Sequence, residues 1–376
     1  MQLPESFFQT AKSIYQNDPY WLGENPEAIT KAFADNSDYQ QKGGRVWADV
    51  IASDSGDCSR LAGFYDPQMN IDGQAVAYFG FWETSDNAEN NAQLFQRFEH
   101  WAKGQGAQAI YGPINFNTYG MNRIRIFSAA EKAEGDATET APFIGEPYNP
   151  EYYAGLLQGL GYDIRYRYFT RINNATQALA AKVAPLLEQG KQALAGQFHF
   201  QPLTADIWRQ RLADIYPITD RMFRNNFAYS PITEAQFIAA CGEPFAKKLC
   251  PHSSVLVTDA NDAIAGYFLS FPDYSPLIRD HIATPETVNF ADHFDLLPGP
   301  RMALAKTGAV HPDYRKAGLF TLMSMQLTVW GAPFYQRFAA SLVREDNPSL
   351  KYASNGEQQR EYALYHKQLG TAEGDV

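Results

Sequence analysis

Two hydrophobic periods alternate along this chain, and the places where one gives way to the other mark its elements. Phe7, Phe8, Ala11, Ile14 and Tyr15 recur at helical spacing, so residues 1–44 read as a helical entry. Strands follow at 46–53, 60–65 and 74–82, parted by the turn compositions of 54–57 and 66–73. Thr84, Ser85 and Asp86 form an N-cap cluster for a helix that runs to Lys103 with Leu94, Phe95, Phe98, Trp101 and Ala102 on one face. A strand at 109–114 leads into a loop, a polar stretch covers 129–140, a short helix points Leu156, Leu157 and Leu160 inward, and 163–172 alternates as a strand.

The second half repeats that order after an Ala- and Leu-rich helix at 175–195. Helices at 208–226 and 234–241 precede a hairpin of 254–258 and 263–270 that turns on Asn261 and Asp262. An irregular insertion at 271–300 is followed by a strand at 302–310, a helix from Leu319, a strand at 338–343, a short helix after Asn347 and a last strand at 361–367. The repeat predicts an α/β (α+β) chain of two tandem domains, 1–172 and 197–376, joined by a linker helix at 173–196. Each domain is expected to hold a mixed, mostly antiparallel twisted sheet flanked by helices. The length of 376 residues, more than one core usually supports, agrees with two.

The densest chemistry lies where the strand at 302–310 turns into a helix. His311 to Tyr314 break the strand, and Arg315, Lys316, Ala317 and Gly318 open the helix. A helix start offers unpaired amides and the positive end of its dipole, so basic side chains and a glycine there make an anion site. The matching turn of the first half, 82–89, has Glu83, Asp86 and Glu89 and neither Arg, Lys nor Gly. Those carboxylates would repel a pyrophosphate, so a single cofactor site is expected, in the second domain.

Charge narrows the partners. A net charge of −11 without any basic block argues against gripping nucleic acid and mildly favours amine-bearing small molecules. Cys58, Cys241 and Cys250 are odd in number and lack metal-site spacing, which predicts reduced thiols and no zinc cluster. His281 and His293, each beside an aspartate in the insertion, fit no ligand pattern and read as a solvated loop. The start of the chain shows no leader pattern and no apolar run is long enough to span a membrane, so a cytoplasmic protein is expected, as a monomer or homodimer.

The residues Val310-x-Pro312-x-Tyr314-Arg315-Lys316-Ala317-Gly318-Leu319 resemble the acyl-CoA pyrophosphate loop of the GNAT superfamily of N-acyltransferases. That loop reads Gln or Arg, two residues, Gly, one residue, then Gly or Ala, and Phe320 stands here in the last place. The whole chain resembles a bacterial group of tandem GNAT-like proteins, marked by Gly112-Pro113-x-Asn115-Phe116, by Pro147-Tyr148-Asn149-Pro150-x-Tyr152-Tyr153, and by Pro272-Asp273-Tyr274.

The resemblance implies an acyl-CoA, most simply acetyl-CoA, held by Ala309, Val310, Arg315 to Phe320 and Asn347, the last in the place of the second-motif asparagine. It also implies acyl transfer to a small amine. Such a transfer needs a polarised carbonyl, a deprotonated amine and a protonated leaving thiolate. Glu345 is the first candidate base. For the acid, the family's position falls on Ser354, and Tyr352, Tyr362 and Tyr365 compete instead. Asn115, Asn117, Tyr119 and Tyr274 are the candidate acceptor-side residues. An aminoacyl-tRNA-dependent transferase, which the acidic charge disfavours, and a non-catalytic binding protein with a decayed site are the alternatives.

Overall fold

A computed structural model of the chain describes residues 1–53, 56–128, 141–224, 226–353 and 358–370. They fall into two compact units. The N-terminal unit comprises Met1–Arg167, Phe227–Ser230 and Glu361–Val376; the C-terminal unit comprises Tyr168–Asn226 and Pro231–Arg360. Each is a mixed, mostly antiparallel sheet with flanking helices.

In the N-terminal unit the strands are β1 (Arg45–Ala52), β2 (Cys58–Ile71), β3 (Gln74–Thr84), β4 (Ala109–Gly112), β5 (Ile124–Ile126) and the start of β6 (Asp163–Asn173). The final strand of the chain, β12 (Gln358–Gln368), joins them. β1, β2 and β3 form an antiparallel meander, β4 lies parallel to β3, and β12 pairs antiparallel with both β4 and β5. The helix Ala88–Gly104 covers one face of this sheet with the predicted Leu94, Phe95, Phe98 and Ala102, all buried in one core with Phe79, Trp82 and Tyr365. The helix Glu5–Ile14 lies over β2 and β3.

The C-terminal unit orders its strands as β7 (Phe198–Pro202), β8 (Val255–Asp259), β9 (Ile264–Pro272), β10 (Met302–Val310), β11 (Arg337–Arg344) and then the end of β6. Only β10 and β11 run parallel; the other pairings are antiparallel. The helices Leu319–Gly331 and Thr176–Ala193 pack side by side, with Gly190 so close to Leu322 that a Cβ would lie 2.4 Å from it. Trp208, Ile215 and Phe237, from three further helices, form a core with Leu256, Tyr267, Leu269 and Ala309.

The structure departs from the sequence reading at several places. The helix at 173–196 is not a linker: its buried Thr176, Ala180 and Leu187 make it part of the C-terminal unit. The last strand belongs to the N-terminal unit, because its hydrogen bonds go to β4 and β5. The expected turn at 66–73 is strand as far as Ile71, with the ladder interrupted between Tyr65 and Asn70, where Pro67 has no N–H to give. The N-cap of the helix Ala88–Gly104 is Asn87, since the Thr84 and Ser85 hydroxyls are bonded to Ser59 and to the Cys58 N–H. The entry is three separate helices, Glu5–Ile14, Pro26–Phe33 and Asp38–Gln41, and the insertion at 271–300 holds two short ones, Ser275–Arg279 and Phe290–His293. Strands β5 and β7 were not foreseen, and the stretch 129–140 lies outside the described residues. No helix among the described residues is long and apolar enough to cross a membrane.

Candidate functional site

β10 is the element from which the site is built. Its parallel pairing with β11 runs from Met302↔Arg337 to Ala305↔Ala340 and stops, although both strands continue. At the same point its ladder with β9 slips by one residue, so that Lys306 is a bulge between Ala305↔Ser270 and Thr307↔Leu269. A bulge bends its strand and adds twist, which swings β10 away from β11. β11 bends as well: its register against β6 shifts between Ala340 and Val343, and Leu342 adopts φ 56°. The result is a splay. Ala305 to Gly308 are partly exposed in the middle of a strand that has neighbours on both sides, whereas Met302–Leu304, Ala309 and Val310 are buried.

Beyond Val310 the chain is pinned before it reaches the helix. The His311 N–H donates to the Ala265 carbonyl (2.8 Å), and the Tyr314 hydroxyl donates to Asp259 Oδ2 (2.8 Å), which holds that carboxyl below its usual range. Tyr314 also meets the Phe198 ring edge-on at 5.1 Å. A 3₁₀ turn, Pro312–Ala317, carries Arg315 and Lys316 outward, both exposed, and neither is ion-paired to a described residue. Gly318 then takes φ 74° as N-cap of Leu319–Gly331, a conformation that disfavours side chains, and no side chain among the described residues caps the helix. Leu319 is buried. The Phe320 ring turns onto Phe268 (5.5 Å) and into the space above Gly308, where a Cβ would come within 2.6 Å of it. The bulky residue in the motif's last place therefore packs against the sheet.

The same strand-turn-helix in the N-terminal unit is closed. β3 pairs with β4 from Val76↔Ala109 to Tyr78↔Tyr111 and then bulges at Phe81, whose φ is 46°. Here the gap is stitched by the chain itself: the Ile114 N–H donates to the Phe79 carbonyl (2.7 Å), and the Phe81 N–H donates to Asn115 Oδ1 (2.8 Å). The helix that follows is capped by Asn87, which accepts from the Asn90 N–H.

The remaining sequence candidates are dispersed. Glu345 is exposed just past β11, and Asn347 is exposed and accepts from the Ser349 N–H (2.9 Å), starting the 3₁₀ turn Pro348–Ala353. Tyr352 lies in that turn, its side chain outside the described residues, as is Ser354. Tyr362 and Tyr365 are buried on the β12 portion of the N-terminal unit. Tyr362 donates to Glu146, while the Tyr365 hydroxyl has no hydrogen-bond partner among the described residues and burial pushes it up to about 12. Asn117 accepts from the Tyr119 N–H in the loop after Asn115, and Tyr119 is exposed at 6.3 Å from Tyr229. Tyr274 is fully buried, donates to the Lys248 carbonyl, and is pushed up by that burial. Gly308, Asp259 and Phe268 shape the loop without having been singled out, because their roles depend on strand register.

No family model matches the chain. Protein YghO of Escherichia coli (strain K12) is 22% identical over 388 residues, covering 97% of this chain and 93% of that protein. Among solved structures, a GCN5-related glucosamine N-acetyltransferase region in a fungal multi-domain GH3 β-N-acetylglucosaminidase superposes with a TM-score of 0.54 at 13% identity. The superposition covers 96% of this chain and 37% of that one. The fold is GNAT-like. A GCN5-related N-acetyltransferase from Sphaerobacter thermophilus also matches, at 10% identity and a TM-score of 0.46 over 98% of this chain and 94% of its own.

Proposed function

We propose that this chain is an acyl-CoA-dependent N-acyltransferase that acylates a small amine, with its donor held in the C-terminal unit. The observation that carries the reading is the coincidence, on one strand-turn-helix, of an open splay, an uncapped helix start and two exposed cations. Acyl-CoA, when bound, supplies an acyl group on a thioester. Arg315 and Lys316 offset the charge of its pyrophosphate, and the first turn of Leu319–Gly331 adds its dipole. The partly exposed residues Ala305 to Gly308, where the pairing of β10 with β11 ends, offer amides to the pantetheine arm and the thioester carbonyl. Glu345 is the proposed base for the amine. The closed gap and capped helix of the N-terminal unit support one donor site per chain. Acetyl-CoA is the proposed donor, as the simplest acyl-CoA.

Titration calorimetry with CoA and acetyl-CoA tests this directly. Saturable binding is expected, weakened at least about tenfold by Arg315→Glu, which turns a favourable phosphate contact into a repulsion. Equal affinity in the variant, or no binding by the native chain, overturns the donor site; acetyl-CoA consumption with a panel of amines then reports on transfer.

A further inference from the structure

The turn Pro312–Ala317 holds two cations in place without a core of its own. None of its residues is buried. The hydrogen bonds that close it, from the Tyr314 N–H to the His311 carbonyl (2.9 Å) and from the Asp313 N–H to His311 Nδ1 (3.3 Å), stay within the turn and the residue before it. A segment with so few buried contacts opens easily unless something outside it holds it. The side chain that ties it to the sheet is Tyr314. β7 and β8 set Phe198 directly opposite Asp259, and Tyr314 reaches both members of that pair: its ring meets the Phe198 ring edge-on, and its hydroxyl donates to Asp259 Oδ2.

Asp259 is itself a fixed post. Its other oxygen, Oδ1, accepts from the Asn261 N–H (2.8 Å) and the Ala263 N–H (3.0 Å), so the carboxylate closes the tip of the β8–β9 hairpin while it holds Tyr314. That tip is gripped in turn by Arg211, which donates to Asp262 Oδ2 (3.1 Å) and to the Asp262 carbonyl (2.8 Å). A further bond, from Arg211 Nε to Asp214 (2.8 Å), orients the guanidinium. Arg315 and Lys316 follow Tyr314 directly in the chain, so an anchor at 314 restricts the points from which their side chains start.

We infer that Tyr314 is the positioning residue of the donor site: by seating on Phe198 and Asp259 it fixes where Arg315 and Lys316 stand before the pyrophosphate arrives. The inference rests on the donor site proposed above and adds to it a residue that acts through its neighbours. Its effect is preorganisation. Where the competent arrangement is only a fraction of the population, apparent affinity falls by that fraction, so a turn in place about one-tenth of the time binds about tenfold more weakly. A purely structural tie would instead lower the melting temperature and leave the affinity of the folded chain as it was.

The test is a double-substitution cycle on the full chain, read by titration calorimetry with CoA at a temperature where every variant is folded, and by hydrogen exchange without ligand. Tyr314→Phe keeps the ring on Phe198 and removes the hydroxyl. It should weaken CoA about tenfold and speed exchange at the amides of Asp313 and Tyr314, and it should add nothing once Asp259 is replaced by alanine. Native affinity in Tyr314→Phe, or an undiminished effect of it in the Asp259→Ala background, overturns the role. Weaker binding with native exchange also overturns it, because the hydroxyl would then be touching the donor. A native chain that binds no CoA overturns the donor site, and this role with it. Should Asp259→Ala fail to fold, Tyr314→Phe against the native protein decides alone.

Discussion

Glu83, which accepts from the Tyr15 and Tyr153 hydroxyls, carries a stability signature. Burial raises its folded-state pKa, opposed by Arg60 and by the Tyr15 and Tyr153 hydroxyls, while Glu24 and burial push the other way. A raised carboxyl means that the folded chain holds a proton where the unfolded chain, near the ordinary value of about 4.3, has released it. Its contribution is therefore complete below that unfolded value and is lost as pH rises through the folded one. Glu83→Gln should raise the melting temperature at pH 8, and the difference should close as the pH is taken below about 4. Thermal melts of both proteins across that range check it; a variant less stable at pH 8 would show that the carboxylate is a structural anchor. Arg315 and Gly318 were legible in the sequence because they sit together in one local turn. Glu83 was legible only as a charge, since its partners come from positions 15, 60 and 153, and nothing local brings those together.

At the scale of elements, the strand-turn-helix was readable and its opening was not. The apolar run at 302–310, the break at His311 and the glycine before Leu319 gave the strand, the turn and the helix within a residue or two. The splay depends on which residue bulges, and a bulge is set by register against β9 and β11. Gly308 shows the difference. As a glycine inside a strand it has no local explanation, but in register it makes room for the Phe268 and Phe320 rings, which a Cβ would meet at 2.7 and 2.6 Å. Gly308→Ala should cost about 1–3 kcal/mol through overpacking and, by pushing Phe320 toward the loop, weaken CoA binding. Denaturant melts and CoA titration of the variant measure the two effects; an unchanged protein would mean that the rings yield freely. The helix cap was misplaced for a related reason, since Thr84 and Ser85 are drawn off by partners on β2 that the sequence does not reveal.

At the scale of the molecule, the repeat of elements was visible and the route of the chain between units was not. The chain passes out of the N-terminal unit within β6, rejoins it briefly at Phe227–Ser230 and returns to it within β12, so a cut at any single loop leaves a unit incomplete. Tyr362, Ala363, Leu364 and Tyr365 are all but fully buried there. Ending the chain before Glu361 should abolish hydrogen-exchange protection in β4 and β5 while leaving β8, β9 and β10 protected. Native protection in β4 would show that the last strand is dispensable.

That exchange of strands also orders events during translation. The residues up to Arg167 leave the ribosome first, but the strand that completes their sheet is the last to be made. At about 5–20 residues per second, synthesis of Tyr168 to Arg360 holds the edge of β4 open for roughly 10–40 s. For that time an unpaired strand edge is a template for the wrong partner, including the same edge on a neighbouring nascent chain. The N-terminal unit is begun first and finished last, and a chaperone that shelters its open edge would raise the yield of folded protein more than one acting on the C-terminal unit.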